Sequence, residues 1–153
     1  MLLQSAKLSL AIRAEYARLK KDQGARFYTY VLQLQGNRFY VGNTDNIYAR
    51  LLEHLLMTQS SSLWVRHHGP ISRVVEVCRN SAKADEHYKT LQYMDMYGWE
   101  NVRGSSYCRV EMSSAPLALG VFVRDREGEF EYLTRSEIDS VLQSVHELKT
   151  SAS

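Results

Sequence analysis

Four side chains with the chemistry of phosphate binding and proton transfer lie between positions 30 and 54. Tyr30 and Tyr40 are ten residues apart, Arg50 follows after another ten, and His54 comes four residues later. An arginine offers a planar, permanently charged fork that matches phosphate oxygens. A histidine can pass on a proton near neutral pH, whereas a tyrosine, with a pKa of about 10, needs a nearby cation to act as a base. Together these residue types suit charge-stabilised chemistry at a phosphate group.

Each of the four also has an ordinary structural interpretation. Tyrosine favours strands, and this chain has ten of them. Arg50 alone would be a surface arginine, and His54 alone would be a histidine on a helix face. Only their combined spacing favours a functional interpretation, so the elements that position them decide the matter.

The segment from Phe27 to His54 predicts two strands, a tight turn and a helix. Phe27–Leu34 is rich in aromatic and β-branched residues, and Arg38–Gly42 is a short return strand. Gly36-Asn37 between them tolerates positive φ at low cost. A helix capped by Thr44 or Asp45 follows, and Ile47, Leu51 and Leu55 form its apolar face. Arg50 and His54, four residues apart, share a neighbouring face of that helix.

Further elements are predicted on both sides of this segment. Before it, an amphipathic helix is expected from Ser5 to Lys21. After it come a serine loop at 60–62 and a third strand, Arg73–Cys78. A long helix then runs from Ala82 to Tyr97, capped by Asn80 or Ser81 and stopped by Gly98.

The last forty residues predict a β-hairpin followed by a helix. The expected strands are Leu119–Val123 and Glu129–Leu133, joined by a turn at 126–128. Thr134 and Glu137 are spaced as a capping box. The apolar stripe of the helix that follows consists of Ile138, Val141, Leu142, Val145 and Leu148.

Composition and charge limit the possibilities. The 153 residues suit one domain with additions at both ends, which we divide as 1–24, 25–110 and 111–153. Residues 1–110 carry 15 Lys/Arg and 9 Asp/Glu, a balance of +6, whereas 111–153 carries 4 and 8, a balance of −4. A polyanion would therefore prefer the front of the molecule, and the acidic extension is a candidate surface for a protein partner or for self-association.

The location expected from the sequence is intracellular rather than secreted. No run of about 18 apolar residues predicts a membrane span, and the N-terminus is a poor secretory signal. The two cysteines, Cys78 and Cys108, form no disulfide framework or CxxC site, which fits a reducing compartment, although a single disulfide stays open.

The chain resembles the GIY-YIG nuclease family in three blocks between residues 27 and 108. Tyr28-Thr29-Tyr30 stands where the family has Gly-Ile-Tyr, and Tyr40-Val41-Gly42 stands where it has Tyr-Ile-Gly. Arg50 and His54 follow at the family spacing. Asn101-Val102-Arg103-Gly104 is similar to a segment found in a subset of these proteins. Glu86 aligns with the family's metal-binding glutamate, with Asp85 one position away as the neighbouring choice.

The resemblance implies an α/β (α+β) fold, with a small central three-stranded sheet flanked by helices, and a metal-dependent DNA endonuclease that hydrolyses phosphodiester bonds. Tyr30 or Tyr40 would orient or deprotonate the attacking water, Arg50 would contact phosphate, and His54 would relay a proton or bind phosphate. Glu86 would hold one Mg²⁺, for which Mn²⁺ can substitute. Gly42 and Asn101 would support the site.

Nucleic acid is expected to meet Asn43 and Arg103, which belong to the resembling blocks, and Trp64 and Arg66, which combine an aromatic ring with a cation. Trp64 also has a structural interpretation, packing at the edge of the loop, which is the more common one because large aromatic side chains usually bury. The alternative function is a catalytically degenerate GIY-YIG fold that binds nucleic acid or a protein. A third possibility is that this chain is a subunit whose partner selects the substrate.

Overall fold

The computed structural model describes residues 27–122 and 130–152, together with Ala14 alone. The expected N-terminal helix and the expected turn at 126–128 lie outside these residues. Within them the fold is mixed α/β: four helices surround a five-stranded mixed sheet of order β4-β2-β1-β3-β5. The strands are β1 (Tyr28–Gln33), β2 (Phe39–Thr44), β3 (Arg73–Arg79), β4 (Val102–Gly104) and β5 (Glu131–Tyr132). The helices are α1 (Ile47–Leu55), α2 (Leu63–His68), α3 (Lys83–Tyr97) and α4 (Arg135–Ala152), with 3₁₀ turns at Trp99–Asn101 and Leu117–Val121.

The β1–β2 hairpin forms where the sequence predicts it. Gly36 and Asn37 both adopt positive φ, +69° and +59°, in a three-residue loop that the pairing of Gln33 with Phe39 and the hydrogen bond from the Leu34 amide to the Arg38 carbonyl define. The resulting register places Tyr30 opposite Gly42 and Leu32 opposite Tyr40. Because side chains alternate along a strand, Tyr30 and Tyr40 lie on one face of the sheet and Val31 and Val41 on the other.

Each face of the sheet carries its own core. Apolar residues of β1 pack with α1 and α4 on the first face, and the buried stripe of α4 consists of Ile138, Val141, Val145 and Leu148, with Leu142 partly buried beside it. On the second face Val31, Phe39 and Val41 pack against α3. The predicted α4 stripe is confirmed, and so is its capping box, in which the Glu137 amide donates to Thr134 Oγ1 at 3.1 Å and the Thr134 amide to Glu137 Oε1 at 3.0 Å.

The predicted three-stranded sheet was too small. β4 pairs in parallel with β2, and β5 pairs antiparallel with β3 by matching Cys78 with Tyr132. A strand of two or three residues contains too little alternation to be recognised in a sequence. The division of the chain at residue 110 stays a prediction, although β5 and α4 of the extension contribute to the same sheet and the same core.

The predicted hairpin of the extension was wrong. Its first strand is replaced by the 3₁₀ turn at Leu117–Val121, in which the Leu119 amide donates to the Pro116 carbonyl at 3.0 Å. Leu117 and Val121 are almost fully exposed, so their apolar character does not mark a buried strand face. The second strand is reduced to β5, which pairs with β3 instead of with a hairpin partner.

Two helix caps also differ from expectation. Asn46, rather than Thr44 or Asp45, caps α1 by accepting hydrogen bonds from the amides of Tyr48 and Ala49. Ala82, rather than Asn80 or Ser81, precedes α3. None of the helices within the described ranges is long and apolar enough to cross a membrane.

Candidate active site

Tyr30 and Tyr40 bring two phenols together on adjacent strands. Their ring centroids are 6.3 Å apart on the face of the sheet that α1 covers. The Tyr30 side chain is fully buried, whereas that of Tyr40 is only partly covered. Tyr40 is therefore the phenol nearer to an incoming substrate.

Gly42 makes room for the Tyr30 ring. A Cβ atom at position 42 would lie 2.2 Å from the phenol oxygen of Tyr30, far inside van der Waals contact. The expected support of the site by Gly42 is thus the space it leaves for the Tyr30 ring, because Tyr30 lies opposite Gly42 in the hairpin register.

The α1 helix adds His54 beneath the two phenols. His54 is fully buried, with Nε2 2.7 Å from the Tyr30 hydroxyl and Nδ1 2.7 Å from Ser61 Oγ. Burial, with the positive charge of Arg50, lowers the pKa of His54 well below its usual range, so the ring is neutral. Because both nitrogens are occupied and no surface is exposed, the suggested role of His54 in binding phosphate does not fit; a role in holding or relaying a proton does.

Arg50, one turn before His54, is the cation of the site. Its Nη1 donates to the Ser60 carbonyl at 2.5 Å and lies 3.5 Å from Glu53 Oε2. The charge of the guanidinium also acts on both phenols and opposes the rise in their pKa. About a quarter of the side chain, 24%, stays exposed, so the group can still receive an external anion.

Glu86 approaches from the first turn of α3. It is partly buried. Burial raises the pKa of this carboxyl, while Lys83, the backbone amide of Asn43 and Arg50 oppose the shift. The charge of Glu86 in turn acts on Tyr30 and Tyr40, so the carboxylate lies within electrostatic range of both phenols and of Arg50.

Asp85, the neighbouring choice, is engaged elsewhere. Its Oδ2 accepts a hydrogen bond from the Ala82 amide at 2.6 Å and lies 3.3 Å from Ser81 Oγ. These contacts hold the start of α3 together. Of the two carboxylates, Glu86 is therefore the one that belongs to the site.

The phenols differ in how easily they lose a proton. Burial raises the pKa of Tyr30 well above its usual range, Tyr40 adds to the shift, and Arg50 opposes it. Burial also raises the pKa of Tyr40, but Arg50 and the Ser62 hydroxyl both donate towards its oxygen and oppose the shift. Hydrogen bonds donated to an anion favour the anion, so Tyr40 is the better placed of the two to carry negative charge.

The donor set offers one carboxylate to a cation. The described residues contain no group of three or more His, Cys, Asp and Glu side chains placed to hold a metal ion. A single hard oxygen ligand fits Mg²⁺ that keeps most of its waters, but not a dehydrated ion in a closed cage. Partial burial disfavours the charged form of Glu86, and a bound cation would offset that effect.

Two residues expected to meet nucleic acid are instead buried. Arg103 stacks on the ring of Trp64 at 4.4 Å, and both side chains are 2% exposed. The Arg103 guanidinium donates to the carbonyls of Trp99, Arg109 and Val110, at 2.8, 2.6 and 3.0 Å. Ring and guanidinium are thus used in packing, and the contact of these two residues with DNA stays a prediction.

The remaining predicted residues have mixed positions. Arg66 is exposed on α2. Asn43 is partly buried, and its Nδ2 donates to Thr29 Oγ1 at 3.1 Å while its amide faces Glu86. Asn101 donates to the Tyr97 carbonyl at 2.9 Å and so closes the C-terminal end of α3. Its support of the site is indirect, through the helix that carries Glu86.

Sequence reasoning missed the role of the serine loop, Ser60–Ser62. The Ser60 carbonyl accepts from Arg50 and Ser61 Oγ pairs with His54 Nδ1, while Ser62 opposes the rise in the pKa of Tyr40. Ser62 also caps α2, since the Val65 amide donates to its Oγ at 3.0 Å. Three polar residues between two helices signal a loop, but nothing in their order shows that they point at the site.

A separate cavity of about 410 Å³ lies between α1, β3 and α4. It is lined by Tyr28, Ile47, Tyr48, Arg79, Leu133 and four residues of α4. None of the five predicted catalytic side chains lines it, so the candidate site is the open edge near Tyr40, Arg50 and Glu86.

Comparisons of the chain with protein-family models, with curated proteins and with solved structures each gave no significant match.

Proposed function

We propose that this chain is a magnesium-dependent DNA endonuclease of the GIY-YIG type. The observation that carries the proposal is an electrostatic coupling among three partly exposed side chains: Tyr40 from β2 is acted on by the charges of Arg50 from α1 and Glu86 from α3. The three residues are far apart in sequence, and each supplies a different requirement of phosphodiester hydrolysis. The excess positive charge of residues 1–110 supports a polyanionic substrate.

Arg50 is the phosphate-binding cation in this proposal. Its two nearest phenols are neutral, and its carboxylate neighbour Glu53 is 3.5 Å away in a partly exposed ion pair. The positive charge of the guanidinium is therefore only partly neutralised by groups of the protein. A phosphate at this edge would gain a charge-assisted hydrogen bond whose strength grows as charge develops in the transition state.

Glu86 is the ligand for one hydrated Mg²⁺. The ion would supply positive charge for the developing phosphorane and for the leaving oxygen. The chain's own part is to hold the carboxylate in place, which the Asn43 amide does from the adjacent strand.

Tyr40 is the group that orients the attacking water. It is the accessible phenol, and hydrogen bonds from Arg50 and Ser62 help its oxygen to carry negative charge. Tyr30 is buried behind it, with its hydroxyl 2.7 Å from His54 Nε2 and its oxygen within reach of Arg50. We assign the Tyr30–His54 pair to orienting Arg50 and to taking up a proton passed inward from the site.

The direct test is nicking of supercoiled plasmid by the full chain with Mg²⁺, with Mn²⁺ and with a chelator. We expect nicking with either metal and none with the chelator. Tyr40→Phe should abolish nicking, whereas Tyr30→Phe should retain part of it. Absence of metal-dependent nicking across linear, nicked, flapped and forked DNA would contradict the proposal.

A second function is favoured by the small acidic donor set. With one carboxylate rather than a cluster, the same edge would suit a module that binds nucleic acid without cutting it. Salt-sensitive binding without nicking would identify this alternative. Absence of both activities would favour a subunit whose partner selects the substrate.

A further inference from the structure

The serine loop contacts two of the site residues directly. The Ser60 carbonyl accepts a hydrogen bond from Arg50 Nη1, and Ser61 Oγ lies 2.7 Å from His54 Nδ1. Only the second contact joins two fully enclosed side chains, since Ser61 is 4% exposed and His54 0%. In such an enclosed place a donor or acceptor left without a partner is especially costly, so it matters which of the two groups donates the hydrogen bond.

The direction of each bond follows from what the partners can donate. Tyr30 is buried and keeps its phenol proton, which needs an acceptor. Arg50 has no acceptor atom, whereas His54 Nε2 lies 2.7 Å from the hydroxyl. The phenol proton is therefore donated to Nε2, which must be unprotonated. A neutral imidazole carries one proton, so that proton is on Nδ1 and is donated to Ser61 Oγ.

We propose that Ser61 is a positioning residue whose hydroxyl accepts the Nδ1–H of His54 and thereby holds the imidazole in the tautomer that accepts the phenol proton of Tyr30. With its proton directed to His54, the Tyr30 oxygen presents its lone pairs to Arg50. In the opposite tautomer, Nε2–H would donate to Tyr30, and the phenol proton would lose its acceptor. The catalytic consequence rests on the proposed nuclease function, whereas the tautomer does not.

The test measures the tautomer and the activity separately. In the full chain labelled with ¹⁵N, long-range proton–nitrogen NMR spectra distinguish an imidazole protonated at Nδ1 from one protonated at Nε2. We expect His54 of the wild type to be protonated at Nδ1. Ser61→Ala should give mixed tautomers, and Ser61→Thr, which keeps the hydroxyl, should restore the single one.

Plasmid nicking provides the second measurement. Loss of a hydrogen bond that orients a functional ligand typically lowers activity about 10-fold or more. Ser61→Ala should lower turnover by about that factor with little change in the KM for DNA, and Ser61→Thr should recover it. Ser114→Ala, at an exposed position outside the serine loop, is the control and should keep the wild-type turnover.

The inference is overturned if His54 of the wild type is protonated at Nε2, or if Ser61→Ala keeps both the wild-type tautomer and the wild-type turnover. If Ser61→Ala does not fold, the His54 tautomers of the wild type and of Ser61→Thr still test the inference. If the wild type never nicks DNA, the proposed function fails, and the tautomers of the wild type and of Ser61→Ala still decide the role of Ser61.

Discussion

Two polar clusters lie on opposite faces of the same sheet. The ionic cluster consists of Glu76, Lys89, Tyr93 and Tyr132, and the phenol cluster consists of Tyr30, Tyr40, Arg50 and His54. In β3, Glu76 is paired with Val31 and Val77 with Tyr30, so Glu76 and Tyr30 point in opposite directions. The two clusters share a backbone but differ in how their charges are matched.

The ionic cluster is closed. Lys89 Nζ lies 3.3 Å from Glu76 Oε2, donates to the Tyr132 hydroxyl at 2.6 Å and lies 4.5 Å from the centre of the Phe130 ring. Tyr93 completes the set by donating to Glu76 at 2.6 Å. Burial lowers the pKa of Lys89, but Glu76 and Tyr132 outweigh it and the net shift is upward. The charges of Lys89 and Glu76 neutralise each other within the cluster, so its contacts serve to hold β5 and α3 to the sheet.

The phenol cluster is open. Its one cation, Arg50, faces two neutral phenols and stays partly exposed, and its two carboxylate neighbours lie at the edge of the group. The difference indicates that an enclosed charge with an equal partner serves the fold, whereas Arg50, whose ion pair with Glu53 is partly exposed, is also available to a ligand. Substitutions in the two clusters should therefore affect different quantities.

The largest effect is expected in the phenol cluster and on cleavage. Arg50→Ala and Glu86→Gln should each lower nicking about 10²- to 10³-fold, because each removes a charge that stabilises the transition state. Arg50→Ala should also weaken DNA binding, whereas Glu86→Gln should leave it unchanged or stronger. Both proteins should stay folded, since these charges lie at the edge of the site.

Asp85→Asn is the matched control for Glu86→Gln. Asparagine keeps the shape that holds the start of α3, so nicking should continue at a rate close to that of the wild type. An inactive Asp85→Asn beside an active Glu86→Gln would move the proposed ligand by one position.

The ionic cluster should respond in stability. Lys89→Ala leaves Glu76 partly buried without its partner, which should lower the free energy of unfolding by about 3 kcal/mol. Nicking per folded molecule should not change. Urea unfolding measures the first quantity, and Lys149→Ala, at an exposed position of α4, should alter it by less than about 0.5 kcal/mol. A Lys89→Ala protein that is as stable as the wild type but cannot cut DNA would contradict the assignment of the ionic cluster to stability alone.

An intermediate effect is expected at the glycine beneath Tyr30. Gly42→Ala forces the phenol ring away, and such overpacking costs about 1–3 kcal/mol. The displaced Tyr30 should also lower nicking, because its contacts with His54 and Arg50 are lost. Gly120→Ala is the control, since a Cβ at that position would meet nothing within 4 Å. Equal stability of the two variants would show that the ring moves without cost.

The sequence predicted the elements whose signals are local. The Gly36-Asn37 turn, the start of α4 and its apolar stripe all depend on residues close to one another, and all were confirmed. β4 and β5 depend on pairing with strands distant in sequence, and both are too short to show a period. They were missed for that reason.

The candidate site was predictable in its members but not in its burial. The sequence spacing predicted that Tyr30, Tyr40, Arg50 and His54 lie close together, because a hairpin followed by a helix places them on one side of the sheet. Spacing cannot show that Trp64 and Arg103 stack on each other beneath the surface. Nor can it show which atoms of the serine loop point at the site, since a loop has no fixed period.

The smallest effect expected concerns His54 and acid. Burial lowers the pKa of the folded state, whereas the unfolded chain has the ordinary value of about 6.5. As the pH falls below about 6.5 the unfolded state binds the proton first, so stability decreases by up to about 1.4 kcal/mol per pH unit until the folded state is also protonated. Above that pH the contribution of His54 to stability is fully present.

Urea unfolding between about pH 7.5 and 5.5 should show this loss of stability in the wild type and a shallower loss in His54→Gln, whatever the absolute stability of the variant. His146→Gln, at an exposed position of α4, should keep the wild-type slope. Equal slopes for His54→Gln and the wild type would mean that His54 does not stay neutral in the folded protein, and the hydrogen bond from Tyr30 to Nε2 would then have the wrong direction.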